Sequence, residues 1–485
     1  MRQKSHRVLN GAIEAVFRRI QTPPPGGSMA TDCIAQLTFR YQGLRSPIVA
    51  RFDMPHASSD GGLVLLKAVD ERLRLTEAVA QCLTDPRQSG KVAHSILDLV
   101  RQRVFGLAAG YLDGNDAARL ADDPLHKLVL DREPLTGPAL GSQPTLSRFE
   151  NGLGRRDLVR MGRGLAQMVI AHHRRRLHAR ARRITIDLDP TDDPTHGQQE
   201  LSFFNGHYDT ACYLPLVAAL TFDDEPMQYL VGIVLRPGNA PASRGAIGRL
   251  RWLLRALRRA FPRATLRVRL DGGFAGPRLL TFLDRAGVEY VVGLPGNARL
   301  DTRIRRLRGR ARVLFRTTGE STALFGETRY AAKSWDRKRR VIMKAEVVQY
   351  PGRAPRDNPR FVVSNLTLVP EAVYAIYRQR GDVENRHKEL KDSLGLGRTS
   401  CPRFLANQVR VLLTATAYIL FQTLQQAAHR TACAGAQVAT LRERLIKLAV
   451  WITRSARRLV LHLPRAFPWL EPWRQVARAV GARAG

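Results

Sequence analysis

The first part of the chain shows apolar residues at helical spacing. Between residues 60 and 180 they recur every three or four positions, and the stretch SILDLVRQRVFGLAAGYL (95–112) follows this spacing most regularly. Such spacing places the apolar side chains on one face of an α-helix. We therefore predict a mainly helical region before residue 180.

The period of the pattern changes near residue 183. In RITIDLD (183–189) apolar residues alternate with polar ones, which is typical of a β-strand. The segments that follow predict strands at 211–222, 228–235, 266–271 and 288–295, and helices at 243–261 and 276–287. Three antiparallel strands followed by two α/β crossovers make up the ribonuclease-H-like plan. We therefore predict an α/β protein with a ribonuclease-H-like catalytic core.

Composition and periodicity divide the rest of the chain. Residues 296–370 are rich in Arg, Thr, Val and Tyr and contain strand-like pieces, which indicates a β-rich insertion into the core. Helical periodicity then returns and continues to the basic C-terminus. The predicted regions are a basic arm or start-site artefact at 1–28, a mainly helical region at 29–180, the first part of the core at 181–295, the insertion at 296–370, a core helix at 371–396 and a helical C-terminal region at 397–485.

The charge of the chain is far from balanced. The formal net charge is +36, from 78 Lys and Arg against 42 Asp and Glu. Such an excess costs self-repulsion unless an anion neutralises it. Nucleic acid is the anion that most often does so, because its phosphates bind Lys and Arg with release of counterions. An arginine-rich composition inherited from a GC-rich genome is the alternative explanation.

The cysteines and the apolar runs bear on the compartment. Five cysteines at wide spacings, without a C-x-x-C pair, argue against a disulfide framework and against a cysteine zinc site. We expect no apolar run long enough to span a membrane, and the basic N-terminus lacks the apolar stretch of a secretory signal. These features predict a cytosolic protein without a membrane partner.

The stretch ITIDLDPTDD (184–193) combines a strand with two aspartates, Asp187 and Asp189. A strand that ends in D-x-D-x-T is typical of haloacid-dehalogenase-type phosphatases. That motif normally opens its domain and is followed by G-D-x-x-x-D, whereas GDVENR has Glu384 and Asn385 at the corresponding places. We therefore reject the phosphatase. A divalent-metal site for DNA cleavage and an exposed acidic turn remain.

Three carboxylates come from elements that the predicted fold brings together. Asp189 ends one strand, Asp271 ends the neighbouring strand before two glycines, and Glu384 lies on the later core helix. Hard divalent cations prefer oxygen ligands, and two such ions can clamp the attacking and leaving oxygens of a phosphoryl displacement. The set therefore predicts a site for two Mg²⁺ ions, with Mn²⁺ as a substitute.

The helix that carries Glu384 also has a polar stripe. At about 100° per residue, four side chains fall within a narrow sector beside an apolar one; they are Tyr377, Arg380, Glu384 and Lys391. A solvated face with salt bridges has the same spacing. With the aspartates nearby, we expect Arg380 and Lys391 to hold phosphates of a bound strand. Tyr377 would donate a hydrogen bond to a phosphate.

The same stripe carries a family resemblance. Its spacing, Y-x2-R-x3-E-x6-K, resembles the signature of a large group of bacterial insertion-sequence DDE transposases. Segments 186–216 and 269–283 resemble the first-aspartate and second-aspartate blocks of one branch of that group, and DPLHKLVL and QPTLSRFEN are similar to that branch too. The resemblance covers roughly residues 40–475.

The resemblance implies roles for individual residues. It implies a metal-binding triad of Asp189, Asp271 and Glu384. It also implies that Tyr377, Arg380 and Lys391 contact DNA phosphates. Pro190 stands where the family usually has Ser or Thr, so the choice between Asp187 and Asp189 stays open. In the insertion, Trp335 would either stack on a base or pack in the core.

The resemblance also implies the activity and the partners. We predict a DDE transposase that binds the terminal inverted repeats of its element through residues 29–180, cleaves strands there and joins them to target DNA. Its partners would be double-stranded DNA, as ends and as target, and a second copy of the chain in a synaptic homodimer. The alternatives are a nuclease on the same fold without strand transfer, and a non-catalytic DNA-binding protein derived from a transposase.

Overall fold

The computed structural model describes residues 36–483, so the predicted basic arm at 1–28 lies outside the described residues. The chain divides into two compact units, Met1–Pro55 and His56–Gly485. The described part of the first unit is an antiparallel hairpin of β1 (Gln36–Phe39) and β2 (Ile48–Arg51). Most of its side chains are exposed.

The second unit alternates helical and extended regions. Its strands are β3 (Ala57–Ser58), β4 (Arg183–Pro190), β5 (Asp193–Pro194), β6 (Phe203–Asn205), β7 (Thr210–Tyr213), β8 (Leu216–Phe222), β9 (Tyr229–Val234), β10 (Thr265–Leu270), β11 (Glu289–Leu294), β12 (Thr322–Tyr330), β13 (Arg339–Val348), β14 (Arg356–Asp357), β15 (Arg360–Ser364), β16 (Val450–Ser455) and β17 (Arg458–His462). Its helices are α1 (Leu63–Leu73), α2 (Leu75–Gln81), α3 (Ile96–Ala109), α4 (Asp116–Leu120), α5 (Pro124–Val129), α6 (Gln143–Gly152), α7 (Arg155–Arg176), α8 (Ala246–Ala260), α9 (Pro277–Arg285), α10 (Ala298–Thr318), α11 (Pro370–Arg378), α12 (Asp382–Lys388), α13 (Phe404–Ala427), α14 (Val438–Leu441) and α15 (Leu470–Ala479).

A mixed sheet lies at the centre of this unit. Its strand order is β12-β13-β15-β11-β10-β4-β8-β9, and β14 pairs with β13. Strands β4, β10 and β11 run parallel, β8 is antiparallel to β4, and β9 is antiparallel to β8. Within the central sheet, the predicted sequence of three strands, helix, strand, helix and strand is observed, and the fold is mixed α/β. The single strand predicted at 211–222 is wrong, because the chain there forms β7 and β8, which belong to different sheets.

Strand β4 lies in the middle of the sheet and is buried on both faces. Ile184, Ile186 and Leu188 are fully buried among the core side chains on one face. The other face carries Thr185, Asp187 and Asp189, which are buried as well. A carboxylate in such a place is costly unless it is paired, so both aspartates need partners from neighbouring elements.

The inserted region differs from the prediction in two ways. It begins with helix α10, whose buried positions Leu300, Ile304 and Ala311 follow helical spacing among many arginines. Its strands β12, β13 and β15 do not form a separate β-unit but extend the central sheet, because β15 pairs with the core strand β11. The insertion is therefore both helical and extended, and the predicted β-rich composition describes its second half only.

The helix predicted at 371–396 is observed as a chain of shorter helical turns. Helix α11 passes through a 3₁₀ turn at Gln379–Gly381 into α12, and a π-helical turn follows at Glu389–Ser393. Gly381 has low helix propensity, and 3₁₀ and π turns advance by different angles from an α-helix. The angles calculated for the polar stripe are therefore only approximate beyond residue 378.

The C-terminal region is not wholly helical, contrary to the prediction. Strands β16 and β17 form a hairpin that pairs with β3, because Val450 and Ile452 bury alternate side chains at strand spacing. Among the described residues, Phe404–Ala427 is long and apolar enough to cross a membrane, and 83% of its most apolar window is buried within the protein. This helix packs as a core element against β9.

Candidate metal and DNA-cleavage site

The two predicted aspartates stand on neighbouring parallel strands. Strands β4 and β10 pair in register with Leu188 opposite Leu270. The next positions therefore place Asp189 and Asp271 side by side at the carboxyl ends of these strands, which form one edge of the sheet. Asp271 leaves the strand as the N-cap of a 3₁₀ turn, and its carboxylate accepts a hydrogen bond of 2.9 Å from the Gly273 amide. The edge of the sheet therefore presents two carboxylates side by side.

Glu384 completes the set from the helical side. It lies on α12 with an exposed side chain. Burial raises the pKa of Asp189 to about 7, the Arg380 guanidinium opposes this shift, and the negative charges of Asp271 and Glu384 add to it. Asp271 and Glu384 are therefore both close enough to Asp189 for their charges to act on it.

The three carboxylates are suitable ligands for a hard divalent cation, although their side chains are not arranged around a common point in the structure. Among residues 36–483, no group of three or more His, Cys, Asp or Glu side chains is close enough to hold a metal ion as they stand. The mutual repulsion of the carboxylates at Asp189 is nevertheless what a bound cation relieves, and oxygen ligands are what Mg²⁺ prefers. Asp189, Asp271 and Glu384 are the residues that would hold it.

Asp187 has a different environment from Asp189. Both of its carboxylate oxygens accept 2.8 Å hydrogen bonds from Arg269, and the Gln228 side-chain amide donates a third at 3.1 Å. Arg269 in turn donates to the Ile376 carbonyl oxygen on the helical segment above the sheet. Asp187 therefore ties the sheet to α11, which leaves Asp189 as the aspartate at the edge.

The two predicted phosphate-binding cations are already paired with carboxylates. The Arg380 guanidinium donates to Asp189 at 2.9 Å. The Lys391 ammonium donates to Asp192 at 2.7 Å. Asp189 lies near the end of β4 and Asp192 follows that strand, so both cations point towards the same end of β4. The structure gives each of them an acidic partner that the sequence did not indicate.

The Tyr377 hydroxyl lies close to the backbone beside the second aspartate, Asp271. A Cβ atom at Gly293 would lie 2.5 Å from the Tyr377 hydroxyl oxygen and 2.8 Å from the Gly272 amide nitrogen. Glycine is therefore required at 293 for the tyrosine to approach the backbone beside Asp271. Sequence reasoning missed Gly293, because only the three-dimensional contact shows why its side chain must be absent.

His387 is a further residue that sequence reasoning missed. Its ring is buried, its Nδ1 lies 3.7 Å from the Asp189 carboxylate, and its Nε2 has no hydrogen-bond partner in the structure. Burial lowers the pKa of His387 to about 4, so the ring is neutral near pH 7. The available signal was its position three residues after Glu384, which places both on one helical face.

Asp193 fixes the loop on which Asp192 stands. Its carboxylate is buried and accepts a 2.9 Å hydrogen bond from the Thr399 hydroxyl. Burial raises the pKa of Asp193 to about 7. This contact joins the segment after β4 to the chain that follows the helical segment carrying Glu384, so the acidic partner of Lys391 is held between β4 and this contact.

Trp335 packs inside the inserted region. It is 9% exposed, meets Tyr330 edge to face and lies under the Arg339 guanidinium. The packing interpretation of this residue is therefore confirmed, and its ring is not accessible to a base.

The fold and the site together define a class. A mixed α/β sheet with carboxylates at the ends of two neighbouring parallel strands, and a third on a helix across that edge, is an arrangement suited to metal-assisted phosphoryl transfer. The chain belongs to the family described as Transposase DDE domain group 1, whose model matches residues 41–482. No curated protein matches the chain significantly.

Proposed function

We propose that this transposase binds the terminal inverted repeats of its own element, cleaves DNA strands there and joins the freed 3′-hydroxyls to target DNA. One observation carries the proposal: the parallel register of β4 and β10 places Asp189 beside Asp271, and the charges of Asp271 and Glu384 both act on Asp189. The strand order β9-β8-β4-β10-β11 supports a ribonuclease-H-like core, because it places the first antiparallel strands and the later parallel ones on either side of β4.

The proposed mechanism assigns a role to each polar group at the edge. Two divalent cations bound by the three carboxylates would activate the attacking water or 3′-hydroxyl and neutralise charge on the leaving oxygen. Arg380 moves from Asp189 to a phosphate, and Lys391 moves from Asp192 in the same way. The Tyr377 hydroxyl donates a hydrogen bond to a phosphate beside Asp271. A homodimer on two DNA ends is the proposed synaptic complex.

A strand-transfer assay tests the proposal. The purified protein is incubated with Mg²⁺, a supercoiled plasmid and a duplex that carries the inverted repeat flanking its gene. Cleavage at the repeat boundary and covalent joining to the plasmid are expected. Cleavage without joining would instead favour the nuclease, and binding without cleavage would favour a non-catalytic DNA-binding protein.

Arg380 and Lys391 should position the cleaved strand rather than determine total affinity. We expect Arg380→Ala or Lys391→Ala to slow single-turnover cleavage of pre-bound ends by about 10- to 1000-fold, which is about 1.4–4 kcal/mol of lost positioning. Arg380→Lys should recover only part of the rate, because a point charge does not reproduce the bidentate fork.

The matched control for these variants is Arg255→Ala, at an exposed arginine on α8. Equal cleavage rates in Arg380→Ala, Lys391→Ala and this control would mean that the stripe, apart from Glu384, is a solvated helix face.

DNA affinity should depend steeply on salt. The net charge of +36 predicts that many phosphates are neutralised on binding, and each contact contributes about −0.9 to the slope of log affinity against log salt. We expect a slope several units below zero in a fluorescence-anisotropy titration with duplex DNA. A flat response would assign the basic excess to genome composition alone.

A further inference from the structure

A small sheet extends from the acidic edge. Strand β5 begins at Asp193, four residues after Asp189, and pairs with β7, which pairs with β6. The register runs from Pro194 through Cys212 to Phe203. Two strand spacings, about 10 Å, separate β6 from β5, so the β6–β7 hairpin is connected through β5 to the strand end that carries Asp189.

The hairpin exposes two phenylalanines. Phe203 is 41% and Phe204 is 64% exposed, and no other phenylalanine among residues 56–483 is as exposed. Alternation along β6 places the two rings on opposite faces. Exposed rings of this size on a regular strand forgo the favourable burial that a phenylalanine otherwise gains, which indicates that a partner covers them.

The hairpin is firmly held despite its exposed rings. The Glu200 amide donates to the Pro402 carbonyl oxygen at 2.9 Å, and the Glu200 carboxylate accepts from the Phe404 amide at 2.9 Å. The Asn205 side-chain amide donates to the Gly238 carbonyl oxygen at 2.8 Å. These contacts fix the hairpin to the segment after the catalytic helix and to the loop after β9, so the rings are presented on a rigid support.

The lack of positive charge in the segment that contains the hairpin favours contact with DNA bases rather than with phosphates. The chain has 78 Lys and Arg, yet the sequence from 184 to 235 contains neither. The segment itself therefore supplies no cation for a phosphate, whereas aromatic faces bind bases by stacking without charge. Tyr208 at the tip lies near the same carboxylates, because the charges of Asp192, Asp189 and Asp271 add to the burial that raises its pKa to about 12.

We propose that the β6–β7 hairpin is a base-stacking element, in which Phe204 stacks on an unpaired base of the strand next to the scissile phosphate. This proposal rests on the proposed function, because it needs DNA at the acidic edge. The hairpin pairs with β5, which begins four residues after Asp189, so the base that it contacts would lie within a few nucleotides of the cleaved bond. Phe203 lies on the opposite face of β6 and takes no part in this contact.

Photo-cross-linking tests the contact without relying on catalysis. The probe is a duplex carrying the gene-flanking inverted repeat, with 5-iodouracil placed at successive positions around the cleavage point. Wild-type protein should cross-link through Phe204, and Phe204→Trp should retain the cross-link whereas Phe204→Ala should lose it. Cross-links confined to other segments at every position would overturn the proposal.

Cleavage of the same duplex gives the second measurement. Phe204→Ala should cleave about 10- to 100-fold more slowly, which is about 1.4–2.8 kcal/mol and within the range for one base stacked on an aromatic side chain. A mismatch beside the cleavage point should reduce this deficit, because the base is then already unpaired. Phe204→Trp should stay near the wild-type rate.

Trp451→Ala is the matched control, because Trp451 is 44% exposed on a strand of a different sheet. Equal cleavage by Phe204→Ala and this control would overturn the stacking element, and so would weaker self-association of Phe204→Ala with unchanged cleavage, which would assign the hairpin to a second copy. Failure of the wild type to cleave a duplex that it binds would overturn the proposed function itself.

Discussion

Replacing any one of Asp189, Asp271 and Glu384 by alanine should slow Mg²⁺-dependent cleavage by at least about 1000-fold, or about 4 kcal/mol. Each change removes a proposed oxygen ligand from a site in which the charges of Asp271 and Glu384 raise the pKa of Asp189 together with burial. Affinity for the DNA end should change little, because the phosphates are contacted by cations elsewhere. The measurements are single-turnover cleavage and end binding by gel shift on the same preparations.

The control for the triad is Glu371→Ala, which removes an exposed carboxylate from the beginning of α11. It should cleave at nearly the wild-type rate. Near-normal cleavage by any one of the three triad variants would remove that residue from the site. Loss of DNA binding in step with loss of cleavage would show that the carboxylate supports the fold rather than the chemistry.

Asp187→Ala should affect stability more than any other single change in β4. Asp187 is fully buried, and its carboxylate accepts two hydrogen bonds from the Arg269 guanidinium, one from Nε and one from Nη2. Removing it leaves a buried cation without its partner, which costs about 3–5 kcal/mol. We expect a lower denaturant midpoint in urea unfolding, and cleavage by the folded fraction that falls far less than in Asp189→Ala.

Two further variants distinguish the loss of the Asp187–Arg269 ion pair from a general disturbance of β4. Thr185→Ala removes a small polar group from the same face of β4 and should cost about 1 kcal/mol. Asp187→Leu combined with Arg269→Met should recover much of the lost stability, because a packed apolar pair replaces a buried ion pair at little cost. An Asp187→Ala protein as stable as Thr185→Ala would contradict the structural role of this pair.

Much of the core was predictable because its sequence signals are local. The alternation of Ile184, Ile186 and Leu188 identified β4, and an equal pattern identified β10 beside it. Parallel crossovers then place Asp189 and Asp271 at one edge, which the register confirms. Whether these residues perform the chemistry remains a prediction, which the triad variants test.

The contacts that neutralise the cations were not predictable from spacing. Arg380 pairs with Asp189 and Lys391 with Asp192, across about 190–200 residues of sequence, and only the packed loop after β4 decides which carboxylate each cation meets. The role of Gly293 likewise depends on a tyrosine from a different element. Helical periodicity describes one element at a time and carries no information about either contact.

The C-terminal hairpin shows the opposite failure, in which a local signal was present but overlooked. Residues 450–462 carry alternating apolar positions at Val450 and Ile452, yet the surrounding arginines and the helical segments on both sides favoured a helical prediction. Pairing with β3 settled the conformation, because two short segments far apart in the sequence bury a common face.

Anomalous diffraction from crystals grown with Mn²⁺ and a duplex of the gene-flanking inverted repeat tests the central claim most directly. The account predicts Mn²⁺ peaks in contact with the carboxylates of Asp189, Asp271 and Glu384, with the Arg380 guanidinium moved from Asp189 to a DNA phosphate. Mn²⁺ bound away from these three carboxylates, while DNA occupies the edge of the sheet and Arg380 stays on Asp189, would contradict it.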